Sequence, residues 1–356
     1  MKISIITLHR FDNVGSCLQA CALSQYLQSK NNEVVLLDYT PFYKEYYEPI
    51  KIAAKVLNRR NISARMDKIG EVLNEYSNLS KRFYNNKRIG KLVEGCDLLV
   101  SGGDQIWNPM YPNYRDDAYY YYGINNIRKI AYGSSVSVNE LSGEQISYLK
   151  ERITLYDSVN VREKRTAELF IENNINKNTN YIMDPVFLPD KELYCQMAEK
   201  SSYKENGEYI LLYHMDEGKE LDMMIDKIRE ITGYKIISLI GNRKYWYSDL
   251  YIKDYGPYDF LNLIKNAKMV FTGSFHALCF SLIFKTPFII QLPEKSPNRI
   301  VNILNEIGLS DRIISEKNSI DAILKRRIGN DPYDSLEKII SISRNILDKA
   351  VLGYKE

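Results

Sequence analysis

The chain has 356 residues, with 48 Lys and Arg against 45 Asp and Glu, three His and five Cys. That length allows two domains of ordinary size, and 45% hydrophobic with 26% charged residues is the composition of a globular protein. A net charge of +3 is too small to argue for nucleic acid or an anionic membrane surface as a partner. Cys17, Cys21, Cys96, Cys195 and Cys279 form neither a CxxC pair nor a dense framework, which fits a reduced cytoplasm. Met1–Leu8 runs straight into a strand-like stretch without a basic and long apolar leader, so no signal peptide is expected. Apolar runs such as Ala277–Phe284 fall far short of the ~20 residues that span a bilayer. The 29 tyrosines, beside abundant Ile, Asn and Lys, read first as a base-composition bias and second as stacking platforms for sugars.

In chain order, Lys2–Leu8 is a β-branched strand, Ser16–Ser29 has helical spacing, and Glu33–Asp38 is a second buried-type strand. The basic and aromatic stretch Tyr39–Lys91 reads as mainly helical and exposed. Strands recur at Asp97–Ser101, Lys129–Tyr132, Ser158–Val161 and Tyr181–Met183. Near-continuous apolar strands separated by helices indicate a parallel sheet covered on both faces. The polar stretch Pro189–Gly207 marks a junction, giving domains 1–190 and 191–356. The second half repeats the alternation: strand Tyr209–Tyr213, helix Glu220–Thr232, strands Lys235–Ile240 and Leu250–Ile252, and helix Tyr258–Asn266. Strand Met269–Thr272, helix Phe275–Phe284, strand Pro287–Leu292 and helix Asn298–Gly308 follow. The amphipathic terminal helix Asp334–Ala350 is free to pack back on the first domain. The expected fold is therefore two Rossmann-like, doubly wound α/β domains facing across a cleft, with ligands at the carboxyl ends of the strands.

The stretch MVFTGSFHALCFSLIF carries the clearest chemistry. A strand ends at Thr272, Gly273 permits close backbone approach, and Ser274 is placed to cap a helix whose N-terminus suits an anion. His276 in the first helical turn can move a proton near neutral pH, or is a packed histidine beside an ordinary cap. Lys295 and Arg299, after the next strand, would add cations for a small anion. In the first half, Asn13, Gly15 and Gln19 form a strand–turn–helix unit with two amide readers. It lacks the glycines of a dinucleotide fingerprint and the lysine of a P-loop. Asp104, in VSGGDQIWNP, would accept hydrogen bonds from a sugar or act as a base, or else holds a turn above a packed Trp107. Arg162 closes a strand and is expected to point into the cleft. His9, His214 and His276 are widely separated along the chain, so no metal site is expected.

DNVGSCLQACALSQYL, SGGDQIWNP, IAYGSSVS, SVNVREKRTAELF, IMDPVFL and GPYDFLNLIKNAKMVFTGSFHALCFSLIFKTPFII occur in that order, between Asp12 and about Leu309. Together they resemble the polysaccharide pyruvyl transferase family, which is similar in fold to the GT-B glycosyltransferases. The resemblance implies an enzyme that uses phosphoenolpyruvate as co-substrate, with no cofactor, to place a pyruvate ketal on a sugar of a surface-polysaccharide precursor. It implies His276 as the catalytic residue and Arg162, Gly273, Ser274 and a basic residue after the next strand as the donor site. Lys295 and Arg299 compete for that last place, with Lys295 favoured for donor contact and Arg299 as a helix anchor. Asn13, Gly15, Gln19 and Asp104 would meet the acceptor, a nucleotide- or lipid-linked sugar. The enzyme would be cytoplasmic, with peripheral access to the inner membrane face. The sequence departs from the family in Gly103, where a serine is common, and in Val14, where a tyrosine is. Other readings are a nucleotide-sugar glycosyltransferase of GT-B type and a non-catalytic glycan- or anion-binding relative.

Overall fold

The computed structural model describes residues 1–41, 59–205, 208–214, 218–239, 248–294 and 297–353. The described chain divides into two compact units, one of Met1–Arg59, Ile69–Pro189 and Ile339–Glu356, the other of Arg60–Lys68 and Asp190–Lys338. Two segments thus depart from a simple split near residue 190. Residues 60–68 join the second unit because Arg65 donates to the Lys253 carbonyl at 2.5 Å and Lys68 pairs with Asp259 at 3.0 Å. Residues from Ile339 onward join the first.

The first unit is built on β1 (Lys2–Ile6), β2 (Glu33–Leu36), β3 (Leu98–Ser101), β4 (Arg128–Ser134), β5 (Ser158–Val161) and β6 (Thr179–Tyr181). They form one sheet in the order β2-β1-β3-β4-β5-β6, parallel at every pairing. Strands β3 and β5 are buried throughout, as a sheet covered on both faces requires. Its helices are α1 (Val14–Ser29), α2 (Arg59–Tyr76, shared with the second unit), α3 (Ile89–Leu92), α4 (Gly143–Ile153) and α5 (Lys164–Glu172). Helix α1 is buried nearly all round, so it shows no amphipathic stripe and reads from sequence only as a run of small and apolar residues.

The stretch Tyr39–Lys91, expected to be mainly helical and exposed, is helical where described at Arg59–Tyr76, Asn86–Arg88 and Ile89–Leu92 but is not exposed throughout. Only Arg59–Tyr76 forms a long helix, residues 42–58 lie outside the described part, and Phe83 is buried, stacked on Tyr39 at 5.0 Å. Many of the tyrosines are core residues: Tyr119, Tyr120, Tyr121 and Tyr132 are fully buried. Trp107 lies flat against Tyr120, with ring centroids 5.6 Å apart and planes 8° from parallel.

The second unit carries β7 (Tyr209–Tyr213), β8 (Lys235–Ser238), β9 (Leu250–Tyr251), β10 (Met269–Thr272) and β11 (Phe288–Ile290). Their order is β11-β10-β7-β8-β9, again all parallel. The helices are α6 (Lys191–Glu199), α7 (Lys219–Thr232), α8 (Pro257–Asn266), α9 (Phe275–Phe284), α10 (Asn298–Glu306) and α11 (Ile320–Lys325). The chain closes with α12 (Asp331–Leu352). Each sheet grows to one side of its first strand and then to the other. This places a topological switch point between β1 and β3 in the first unit, and between β7 and β10 in the second. Open α/β sheets bind ligands outside the carboxyl ends of the strands at such points.

Candidate active site

At the second unit's switch point, Thr272 ends β10 and its hydroxyl accepts the Ser274 N–H at 2.9 Å while donating to the Tyr213 carbonyl. The turn is thereby tied to the end of β7. Ser274, extended at φ −88° and ψ 129°, caps α9 by accepting the Ala277 N–H at 3.4 Å. No side chain fits at Gly273. A Cβ there would lie 2.5 Å from His214 Nε2 and 2.7 Å from the Gln291 carbonyl oxygen. His214, just past β7, donates from Nε2 to that same carbonyl at 3.0 Å, so the ends of β7 and β11 close around the glycine.

His276 follows in the first turn of α9, with 7% of its surface exposed. The Phe275 ring meets its imidazole edge-on at 5.5 Å, and the Arg299 guanidinium sits 5.3 Å from the centroid of the same Phe275 ring. Through this aromatic spacer the first turn of α10 brings a cation to the end of the sheet that carries His276. Lys295 lies outside the described residues.

Past the carboxyl ends of β3, β5 and β6 in the first unit, three buried carboxylates, Asp104, Glu163 and Asp184, surround one buried cation, Arg162. Asp104 follows β3 in a left-handed conformation, φ +65°, which few non-glycine residues adopt. Its carboxylate accepts the Ser16 hydroxyl, the Gln105 N–H at 2.9 Å and Arg162 Nη2 at 2.8 Å. Arg162 Nη1 donates to Asp184 at 2.6 Å, and the Arg162 side chain is 0% exposed. Burial alone would favour the neutral guanidine, but Asp104 and Asp184 outweigh it and hold Arg162 above its ordinary pKa. Next to it, buried Glu163 accepts the Ser137 N–H at 3.0 Å and the Thr166 hydroxyl at 3.0 Å. Beyond β1 and β2, buried Asp38 binds His9 Nε2 at 3.3 Å, Arg10 Nε at 2.5 Å and Arg82 Nε at 3.2 Å.

Residues 13–290 match the family model described as polysaccharide pyruvyl transferase. The chain belongs to that family. No curated protein matches it. Among solved structures it is similar to UDP-GlcNAc 2-epimerases. With the enzyme from Methanocaldococcus jannaschii it shares 16% identity over 96% of this chain and 99% of the other, at a TM-score of 0.58. With that from Neisseria meningitidis it shares 10% identity over 99% and 100% of the two chains, at 0.59. At such identity the likeness is one of fold, a GT-B-like pair of parallel-sheet α/β domains.

Within this family member, Gly273, Ser274, His276 and Arg299 come together at one sheet end. The first-unit candidates divide differently. Asn13 is the N-cap of α1, its side-chain oxygen accepting Gly15 and Ser16 N–H groups at 3.0 and 3.3 Å, and Gly15 is buried inside the helix. Gln19 is 0% exposed and its Nε2 donates to Thr7 Oγ1, Leu8 O and Ser16 O, so it ties α1 to the end of β1 and is not open to a solute. It also accounts for Gly103, where a Cβ would collide with Gln19 Oε1. Arg162, expected to point into the cleft, spends both terminal nitrogens on buried carboxylates. The reason is Asp184, brought to the neighbouring strand end by β6. Sequence reasoning missed Asp184, Ser16 and His214, although the Asp184-Pro185 stop just past β6 could have flagged the first of them.

Proposed function

We propose that this enzyme transfers the pyruvyl group of phosphoenolpyruvate to a sugar of a polysaccharide precursor as a ketal, with release of phosphate. The observation that carries the reading is His276, held in the first turn of α9 beside the Gly273–Ser274 turn at a topological switch point. In the proposed reaction His276 gives a proton to the methylene carbon of the donor, which becomes a methyl group. The neighbouring carbon takes on oxocarbenium character and a sugar hydroxyl adds to it. The carbon–oxygen bond to phosphate then breaks, and a second hydroxyl closes the ketal. Of the two hydroxyl protons, one replaces that given by His276 and one leaves with phosphate, so the histidine is reset.

Arg299 and Lys295 would hold carboxylate and phosphate, and the Ser274 turn would orient them. The first unit's buried Asp104 is the candidate for the acceptor hydroxyls, and Arg162 acts through it as a positioning residue. A multiply charged anion gains little beside Asp104, Asp184 and Glu163, which favours the second unit for the donor. No cofactor is part of this scheme. The acceptor is a nucleotide- or lipid-linked sugar, met in the cytoplasm. Among the described residues, no helix is long and apolar enough to cross a membrane.

The test is phosphate release from phosphoenolpyruvate over a panel of nucleotide- and lipid-linked sugars, with mass spectrometry of the acceptor. Phosphate release coupled to a ketal on the acceptor supports the reading. Release of nucleotide from a sugar donor, with no use of phosphoenolpyruvate, refutes it.

A further inference from the structure

The second unit has a feature at the other edge of its sheet that pyruvyl transfer does not use. An open cavity of about 830 Å³ lies at the amino ends of β10 and β11. His276 and Gly273 follow the carboxyl end of β10, so the cavity is separated from them by the length of a four-residue strand, roughly 13 Å.

Six cations line it: Lys268, Lys285, Arg312, Lys325, Arg326 and Arg327. The lining holds one carboxylate, Asp321, and that is already paired with Lys227 at 2.5 Å. Arg326 reaches Asp311 at 3.2 Å and Lys268 reaches Glu208 at 3.8 Å. Among the described residues, Lys285, Arg312, Lys325 and Arg327 make no ion pair.

Arg312 is the most telling, because it is only 4% exposed. Its Nη1 and Nη2 donate to the carbonyls of Ile323 and Arg326 at 3.2 and 2.6 Å, while Nε has no acceptor. Burial pulls its pKa below the ordinary value, and the nearby Asp311, itself paired with Arg326, offsets that only in part. Lys285 ends α9 in a left-handed conformation at φ +59°, where glycine is the common choice, and its ammonium stands 4.8 Å from the centre of the Tyr333 ring. Ile231, Met269, Phe288, Ile323 and Ile328 give the same cavity an apolar wall.

Six cations against one lining carboxylate, beside an apolar wall, call for an anion with an apolar body. We propose that this cavity is a second binding site, for an organic phosphate. The phosphate is held by Lys285, Lys325 and Arg327 next to the buried charge of Arg312, and the apolar part lies against the isoleucines and Phe288. A soluble phosphate ester and the headgroup end of a phospholipid share this chemistry. The volume suits a single small-molecule ligand.

The test uses octyl phosphate as probe in titration calorimetry, with the full chain and a Lys285→Gln, Lys325→Gln, Arg327→Gln triple variant. All three residues are exposed, so the fold is retained, which a melting curve verifies. Octyl phosphate should bind the unaltered protein with an affinity that falls as salt rises, and bind the triple variant about tenfold or more weakly. Inorganic phosphate should bind more weakly than octyl phosphate, and the KM for phosphoenolpyruvate should be the same in both proteins. Equal binding of octyl phosphate to the two proteins, or equal binding of inorganic and octyl phosphate, would overturn the proposal. Sedimentation with phosphatidylcholine vesicles containing phosphatidic acid, lost in the triple variant, identifies the lipid source. Octyl phosphate binding without sedimentation identifies the soluble one.

Discussion

Replacing Arg162 with methionine tests the buried network of the first unit most directly. The guanidinium is 0% exposed and joins Asp104 at 2.8 Å to Asp184 at 2.6 Å, with Asp184 also 0% exposed. Methionine fills most of the volume but removes the guanidinium that Arg162 places between two buried carboxylates. Breaking a buried pair from one side costs ~3–5 kcal/mol, a large part of the ~5–15 kcal/mol that holds an ordinary domain. At about 2–4 °C per kcal/mol for a domain of this size, the melting temperature should fall by roughly 6–20 °C. The sign with pH follows from the charge. Protonating one of these carboxylates removes the unfavourable ion, so the deficit should be largest at neutral pH and narrow as pH falls. The assay is thermal unfolding of both proteins at several pH values, with the donor KM measured below the transition. A positioning role predicts a donor KM close to that of the unaltered protein. A variant that melts within about 2 °C of the parent at neutral pH, or a deficit that ignores pH, would refute the network's energetic role. A donor affinity lost by ~2–5 kcal/mol in the folded variant would instead make Arg162 a direct donor contact.

Other outcomes follow from the same geometry. Gly273→Ala puts a methyl 2.7 Å from the Gln291 carbonyl and should cost ~1–3 kcal/mol in stability. The shifted turn should lower kcat/KM by up to ~10²-fold, and unchanged kinetics would show that the turn is not part of the site. His276→Gln should lower kcat ~10²–10⁴-fold with donor binding kept, whereas a packing role alone predicts only a lower melting temperature. At Asp38, burial would raise the carboxyl, but His9 and Arg10 outweigh it and hold it well below the usual carboxylate range. Its contribution is therefore complete above an unfolded pKa of ~3.9 and is lost as pH falls through the lower folded value. Asp38→Asn should destabilise at neutral pH and differ little from the parent in strong acid. Denaturation curves at the two pH values check this.

Strands and helices with one strong local signal were legible in the sequence. Tyr209–Tyr213, Met269–Thr272 and Phe275–Phe284 stand where their apolar runs and flanking turn residues place them. The strand expected at Tyr181–Met183 begins two residues earlier, at Thr179, because the polar pair Thr179-Asn180 pairs with β5 without any apolar signal. The second-unit candidate site could be assembled from the sequence because Gly273, Ser274 and His276 are neighbours in sequence as well as in space. The first-unit site was not, because the partners of Arg162 come from positions 104 and 184, set side by side only by the order of the strands. The helical reading of Tyr39–Lys91 likewise covers Arg59–Tyr76, but says nothing of Lys68 reaching Asp259.

The assignment of residues beyond Ile339 to the first unit has a consequence for how the protein is made. Ser343 accepts the Met183 N–H at 3.0 Å, Asp348 holds Tyr26 and Lys30, and Arg128 donates to the Ala350 and Val351 carbonyls. These contacts come from a part of the chain that is translated after every residue of the second unit. While the ribosome is still adding them, the first unit lacks the helix that covers this part of its surface. Apolar side chains such as Leu347, 0% exposed in the finished fold, have yet to reach it. Domains usually fold in the order in which they emerge. Here the amino-terminal unit is the one that must wait, and the carboxyl-terminal unit can be complete first.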